Sequence, residues 1–119
     1  MNELSKISIF MPLITIHTSS EQQNDLISPV LNELRDFAAK KLSCGSRELN
    51  INEISVRVIT SNLNMTIADI EIAIIAHAYH ERIKNQDKIC LSLKKFIEER
   101  CAPYTVFVWL QLSELGHSL

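Results

Sequence analysis

Pro12 and Arg57 are the residues whose chemistry depends most on position, because each interrupts an apolar strand pattern. Pro12 lies in Met-Pro-Leu-Ile-Thr-Ile-His-Thr, residues 11–18, inside an apolar run that starts at Ile7. A proline has no backbone N–H for a sheet, so it belongs at the first residue of a strand or on an edge. Either the strand begins at Pro12 and residues 1–11 are an addition, or the proline interrupts an edge strand.

Arg57 places a charge among β-branched neighbours in Ser-Val-Arg-Val-Ile, residues 55–59. Two uses of this side chain are open: an edge-strand ion pair with Glu53 or Glu71, or a site that binds an anion. His17 and His77 each lie in an apolar strand, which favours core or subunit-contact histidines over catalytic bases.

The cysteines do not predict a metal centre. Cys44, Cys90 and Cys101 are odd in number and lack CxxC spacing, and no cysteine or histidine pair has zinc-finger spacing. Buried, inert thiols are the expectation for all three.

Composition indicates one globular domain without a nucleic-acid or membrane partner. The chain has 119 residues, a net charge of -2, 46% hydrophobic and 22% charged residues, and its basic residues are scattered. The longest apolar run, residues 70–78, carries Glu71 and His77 and is too short to span a bilayer. The N-terminus lacks a signal-peptide pattern, so we expect a cytoplasmic protein.

Hydrophobic periodicity predicts four strands and two long helices. The first helix has two possible starts, a capping box at Ser19–Ser20 or an N-cap at Ser28 before Pro29, and Gly45 is a suitable stop. The second helix covers roughly Asn85 to Cys101. The strands are residues 11–18, Glu53 to Ser61, residues 69–78 and Tyr104 to Leu112.

This order predicts an α+β fold made of two fused βαβ units, βαββαβ. Each unit should form a parallel strand pair with a right-handed crossover. The two units then share a four-stranded mixed sheet with both helices on one face. We assign residues 12–119 to this single domain and residues 1–11 to an N-terminal extension. Because both strand faces carry apolar residues, we expect a partner subunit on the uncovered face.

The segments Pro-Leu-Ile-Thr-Ile-His, residues 12–17, and Ile-Ser-Val-Arg-Val-Ile, residues 54–59, resemble the tautomerase superfamily. Members of that superfamily start with a processed N-terminal proline. The second segment is similar to 4-oxalocrotonate tautomerase. The two fused units and Leu-Gln-Leu-Ser-Glu-Leu, residues 110–115, are more similar to 5-carboxymethyl-2-hydroxymuconate isomerase. The resemblance runs from Pro12 to about Leu115 and implies a homotrimer that needs no cofactor.

The resemblance also implies roles for individual residues. Pro12 would be the base and Arg57 would bind the carboxylate of a small unsaturated 2-oxo or 2-hydroxy acid. A free proline nitrogen in an apolar pocket has a lowered pKa and can move a proton between carbon and an enol oxygen. Arg47 is the candidate for a second, substrate-binding cation, and Trp109 for a hydrophobic wall of the pocket.

Two departures from the superfamily pattern bear on this assignment. Eleven residues precede Pro12, so its nitrogen is an amide unless translation begins at Met11 and that methionine is removed. The loop at residues 19–22 lacks the second arginine of 4-oxalocrotonate tautomerase, and the alternative for Arg47 is a solvated loop residue.

Two rival functions use the same element order. The first is a non-catalytic oligomeric protein on the tautomerase scaffold, with Pro12 blocked by an extension that includes a strand at residues 6–10. The second is a ferredoxin-like domain that binds a small regulatory molecule and needs no proline amine.

Overall fold

The computed structural model describes residues 12–45, 47–61 and 66–114, and the proposed extension at residues 1–11 lies outside them. One four-stranded sheet has the order β2-β1-β3-β4. Its β1–β2 and β3–β4 pairs are parallel and its β1–β3 pair is antiparallel. This confirms the α+β fold of two βαβ units. The strands are β1 Leu13–Thr18, β2 Ser55–Thr60, β3 Ile70–His77 and β4 Val106–Ser113.

The sheet order excludes the ferredoxin-like alternative. That arrangement is a split βαβ fold, in which another strand separates the two strands of each unit. Here β1 and β2 are direct neighbours, and so are β3 and β4. The prediction of a ferredoxin-like domain is therefore wrong.

The first predicted helix is two helices joined by a turn. Helix α1 is Glu21–Ile27 and helix α2 is Leu31–Leu42, with a 3-10 turn at Ser28–Val30 between them. Pro29 lies in this turn, and its missing N–H cannot continue the α-helical ladder of α1. The predicted start at Ser20 is confirmed, whereas the predicted N-cap at Ser28 is wrong, because Ser28 is the first residue of the turn and α2 follows Val30. The second half of the chain has a short helix α3, His80–Lys84, and then the predicted long helix as α4, Gln86–Cys101.

Helix α1 has Ser20 as its N-cap, which is one of the two predicted caps. The Ser20 hydroxyl accepts a hydrogen bond from the Gln23 amide at 3.2 Å. The Gln23 side-chain oxygen accepts from the Ser19 amide at 2.7 Å, one residue earlier than a standard capping box. Together these bonds fix how the chain leaves β1.

Helix α2 ends by a different means from the predicted glycine stop. It ends at Leu42, and the Ser43 hydroxyl donates to the Ala39 carbonyl at 2.7 Å and accepts from the Leu49 amide at 2.9 Å. Gly45 does not adopt a positive φ. Its amide instead donates to Glu81 Oε1 at 2.8 Å, and a Cβ on Gly45 would lie 2.9 Å from that oxygen.

The core lies between the sheet and the helices. Strands β1 and β3 alternate strictly, with every second side chain buried. The buried set packs under the helices and includes Ile14, Ile16, Ile72 and Ile74. The opposite sheet face is half-buried to exposed, and we call it the open face. No helix in the described parts of the chain has the length and apolar character to cross a membrane.

We expect Ile74→Ala to lower the free energy of unfolding by about 2–5 kcal/mol, because the substitution leaves a cavity beside the central strands. The Ile74 side chain is 0% exposed. Ile83→Ala is the matched control, since Ile83 is 52% exposed, and it should cost less than about 1 kcal/mol. Urea denaturation of both variants measures the difference. Equal losses of unfolding free energy in the two variants would contradict the assignment of Ile74 to the core and of Ile83 to the surface.

Candidate functional site

Pro12 is the first described residue and directly precedes β1. Its carbonyl accepts a hydrogen bond from the Ser55 amide at 3.1 Å, and the next residue, Leu13, pairs with Ser55 in the parallel register. The Pro12 side chain is fully buried. Among the described residues, Pro12 is thus the first that bonds to β2, and β1 lies between β2 and β3 rather than at an edge of the sheet.

Arg57 lies on the open face of the edge strand β2, opposite Thr15 in the register. Its side chain is exposed. Among the described residues it forms no ion pair, so the predicted alternative of a pair with Glu53 or Glu71 is wrong. The Glu71 carboxylate instead accepts from the Ile67 amide at 2.8 Å. The Arg57 guanidinium is left available to an anion.

Arg47 has a structural partner. Its guanidinium forms an ion pair with Glu53 and also donates to the Glu48 carbonyl. Burial alone would raise the pKa of Glu53, but the Arg47 side chain, the Asn50 amide and the Arg47 charge together lower it. Arg47 thus anchors the turn that leads into β2, and its predicted role as a substrate-binding cation has no support in this contact.

We expect Arg47→Gln to lower the free energy of unfolding at pH 7 by about 0.2–1 kcal/mol. The folded-state pKa of Glu53 lies below its ordinary value of 4.5. The contribution of the pair is therefore present above that value and is lost as the pH falls through the lowered pKa. The free energies of unfolding of the variant and the parent should therefore converge as the pH falls below the pKa of Glu53. Lys40→Gln, which breaks the more exposed Lys40–Asp36 pair, is the control. A loss that persists unchanged at pH 3 would contradict the assignment.

Trp109 lies far from Arg57 within one chain. The register aligns Arg57, Thr15, Ala73 and Trp109 in one row across the sheet. Three strand spacings of about 4.8 Å place the two end residues roughly 14 Å apart. Trp109 is 38% exposed and its ring centroid is 5.5 Å from that of Phe107. The predicted binding residues thus occupy opposite edges of the same face.

Pro12 and Arg57 also do not meet within one chain. Arg57 is three residues along the ladder from the level of Pro12, because its register partner is Thr15. Strand side chains alternate between faces, so the Pro12 ring shares the helix-covered face with Ile14, whereas Arg57 shares the open face with Thr15. That these residues form one site stays a prediction.

A cavity of about 150 Å³ lies at the other end of β1, and sequence analysis did not predict it. His17, Asp69, Glu71 and Trp109 are among the residues that line it. The antiparallel pairing of β1 with β3 places His17 beside Glu71. The pattern Asp-Ile-Glu at residues 69–71 was a possible signal, but only the strand pairing shows that it faces a histidine.

The acidic groups of this cavity stabilise a loop. The Asp69 carboxylate accepts from the Thr105 amide and hydroxyl, each at 3.0 Å. Glu71 holds the turn at residues 67 and 68. Two carboxylates disfavour an anionic ligand here, so this cavity is a poor site for a carboxylate substrate. No group of three metal-ligating side chains occurs among residues 12–45, 47–61 and 66–114.

Solved structures with the same architecture decide the fold. A macrophage migration inhibitory factor-like protein from Entamoeba histolytica has a TM-score of 0.62 at 16% identity, over 91% of this chain and 96% of its own. The chain has the tautomerase-superfamily fold. A 5-carboxymethyl-2-hydroxymuconate isomerase from Deinococcus radiodurans matches this fold with a TM-score of 0.56 at 14% identity, over 89% of this chain and 84% of its own.

A third solved structure matches along the whole chain. It is a protein of unknown function from Vibrio cholerae, with a TM-score of 0.59 at 17% identity, over 100% of this chain and 92% of its own. No protein-family model and no curated protein sequence matches this chain. At such identities the likeness establishes the tautomerase fold and confirms that part of the resemblance seen in the sequence.

Proposed function

We propose that this chain, when it begins at Pro12, is a cofactor-independent tautomerase that acts on a small unsaturated 2-oxo or 2-hydroxy carboxylate. The observation that carries the proposal is the exposed Arg57 guanidinium, which has no ion pair among the described residues. A guanidinium can hold a carboxylate through two parallel charge-assisted hydrogen bonds. Arg57 is therefore assigned to the carboxylate and Pro12 to proton transfer.

A chain that starts at Pro12 keeps the described pairing of β1 with β2. The six residue pairs run from Leu13 to Thr18, and the bond from the Ser55 amide uses the Pro12 carbonyl. A free nitrogen at this buried position would be a secondary amine with a lowered pKa, since burial disfavours the charged form. A neutral amine is the form that can accept a proton.

The proposed reaction is a proton transfer in two stages. The Pro12 nitrogen removes a proton from an enol oxygen or from a carbon beside the carbonyl, which leaves an enolate or dienolate. Arg57 holds the substrate carboxylate and draws electron density from the carbonyl as negative charge develops. The protonated Pro12 then returns the proton to another carbon, which completes the isomerisation without an external acid.

The proposed site is assembled between copies of the chain, and we propose a homotrimer. Arg57 and Trp109 lie at opposite edges of the open face, and the Pro12 ring lies on the other face. Neighbouring copies that abut at their sheet edges would bring an Arg57 and a Trp109 from different chains to one pocket. The half-exposed Phe107, Trp109 and Ile59 give the open face apolar surface for such a contact. Light scattering should give three times the chain mass; a monomer at micromolar concentration would contradict this.

The direct experiment is an enol ketonisation assay. A chain that begins at Pro12 is obtained by expression from Met11, followed by removal of that methionine, and intact mass confirms the terminus. The expected result is ketonisation of phenylenolpyruvate well above the buffer rate. A rate equal to that of buffer, from a folded chain of the correct mass, would overturn the proposal.

A second candidate is a non-catalytic oligomeric protein on the same fold. It is favoured by one observation: in the chain that contains Met11, the Pro12 nitrogen is an amide and the ring is fully buried, so it is not a base. Intact mass of the protein expressed from its native locus separates the candidates. A mass that corresponds to a start at Met1 would favour this second function.

A further inference from the structure

Two polar side chains with unused hydrogen-bonding groups lie next to each other at the end of the sheet where Pro12 lies. The parallel pairing of β3 with β4 sets His77 opposite Ser113, and the Ala78 amide donates to the Ser113 carbonyl at 3.0 Å. The Ser113 hydroxyl oxygen is buried and has no hydrogen-bond partner among the described residues. A buried polar atom without a partner is rare in folded proteins, and catalytic sites are one place where it occurs.

His77 has a fixed backbone and unused ring nitrogens. Its carbonyl accepts hydrogen bonds from Arg82 Nη1 at 3.1 Å and from the Tyr79 amide at 3.0 Å. The imidazole is half-buried, and its centroid lies 4.7 Å from that of the Tyr79 ring in an edge-to-face contact. In the part of the chain that the structure describes, neither ring nitrogen forms a hydrogen bond or an ion pair. The ring is thus held in place while its donor and acceptor are unused.

The sheet places His77 beside the nitrogen of Pro12 in the same chain. Strand β1 pairs with β3 in antiparallel register, and Leu13 lies opposite Ile75. One step further in this register sets Pro12 opposite Ala76, so the Pro12 nitrogen lies between the levels of Ala76 and His77. A strand spacing of about 4.8 Å then puts this nitrogen roughly 5–6 Å from the His77 Cα. No contact with a second copy of the chain is needed to bring these two residues together.

The surroundings of the His77 ring are uncharged in the strand register. Alternation along β3 puts His77 on the open face together with Ile75. The nearest positions on that face of the neighbouring strands are Leu13 on β1 and Gln111 and Ser113 on β4. Leu13 and Ile75 are half-buried. A hydrogen-bond donor in such a half-buried, uncharged place interacts more strongly with a developing negative charge than it would in water.

We infer that His77 binds the 2-oxygen of the substrate in the proposed tautomerase site, with Ser113 as its orienting partner. The inference rests on the proposed function, because it needs the free nitrogen of Pro12. When Pro12 removes a proton from carbon, the C–H electron pair forms the new C=C bond and the carbonyl electron pair moves onto oxygen. In either direction of the reaction, the enolate therefore carries negative charge on this oxygen.

The two unused side chains have complementary tasks in this step. The His77 N–H donates a hydrogen bond to the enolate oxygen, while the transferred proton stays on Pro12 until it reaches the second carbon. The Ser113 hydroxyl donates to the other ring nitrogen of His77, which fixes the tautomer that the donor role requires. Both bonds form in the complex with substrate, since catalytic hydrogen bonds are often long in the free enzyme.

Substitutions of His77 in a chain that begins at Pro12 test this role. His77→Phe keeps the ring contact with Tyr79 and removes both nitrogens. We expect kcat for phenylenolpyruvate to fall about 100-fold with little change in KM, as when one donor to an oxyanion is lost. His77→Gln keeps an N–H donor and should recover part of this loss, and Ser113→Ala should lower kcat less than His77→Phe does. Circular dichroism verifies the fold of each variant.

His17→Phe is the matched control for His77→Phe. His17 is also a half-buried histidine on the open face of a central strand, but it lies at the other end of β1. This control should leave kcat and KM unchanged. A folded His77→Phe variant as active as the parent would overturn the inference and leave the proposed function standing. A parent chain that ketonises at the buffer rate would instead overturn the proposed function.

A binding experiment decides on His77 without turnover. Phenylpyruvate, a 2-oxo acid, is titrated into the chain that begins at Pro12 and carries ¹⁵N-labelled histidine. We expect saturable shifts of the His77 ring nitrogens, assigned with His77→Phe, and unchanged signals from His17. If phenylpyruvate saturates the chain and the His77 signals do not move, the assignment of His77 to the 2-oxygen is wrong, whether or not the parent is active.

Discussion

One alanine added in front of Pro12 is expected to lower the ketonisation rate of a chain that begins at Pro12 by at least about 100-fold. The added residue converts the secondary amine into an amide, which removes the general base, and general acid–base catalysis contributes about 10²- to 10⁴-fold. The quantity to measure is kcat/KM for phenylenolpyruvate, with each N-terminus verified by intact mass.

The fold of the extended chain provides the control. The ladder hydrogen bond at this position uses the Pro12 carbonyl, which the added residue does not alter. Circular dichroism and the urea midpoint should therefore match between the two chains. If the extended chain folds equally well and keeps the full rate, the Pro12 nitrogen is not the base.

Arg57→Ala is expected to lower kcat/KM by about 10- to 150-fold in the chain that begins at Pro12. A hydrogen bond to a charged group contributes about 1.5–3 kcal/mol, and each 1.36 kcal/mol is a factor of ten in rate. Arg57→Lys should fall between parent and alanine variant, because lysine keeps the charge but loses the paired geometry. A fall in kcat together with a rise in KM, rather than a rise in KM alone, would show that Arg57 also acts in the transition state.

Lys88→Ala is the matched control for Arg57→Ala. Lys88 is exposed on helix α4, and its removal changes the net charge by the same single unit. It should leave kcat/KM unchanged within error. If the two variants lose activity equally, a general effect of net charge explains the result better than a bound carboxylate does.

The sheet could be predicted from the sequence because its signals are local. Alternation along residues 70–78 identifies the buried side of β3, and the strand-helix-strand order identifies the parallel pairs. The same alternation predicts that Arg57 and Ile59 share one face of β2, and their register partners Thr15 and His17 confirm it. These features depend on the alternation of side chains between the two faces of a strand and on the order of elements along the chain. Both can be seen in a single sequence.

The features that the sequence did not predict depend on contacts between distant residues or on turn geometry. Strand order places Arg57 and Trp109 at opposite sheet edges, and periodicity carries no information on that order. Arg47 pairs with Glu53 because the turn between them folds back, which its polar composition does not reveal. Arg82 is buried although arginine is usually exposed, since its partners are carbonyls at the ends of α2 and β3.

The nitrogen of Pro12 is the centre of this account, and its titration tests the account most directly. Proline labelled with ¹⁵N in a chain that begins at Pro12 gives the pKa of the amine by NMR, and kcat/KM measured over the same pH range gives the pKa of the base. The account predicts one shared value, lower than that of an exposed proline amine. An amine that titrates as in free proline, or a base pKa that differs from it, would contradict the assignment of Pro12.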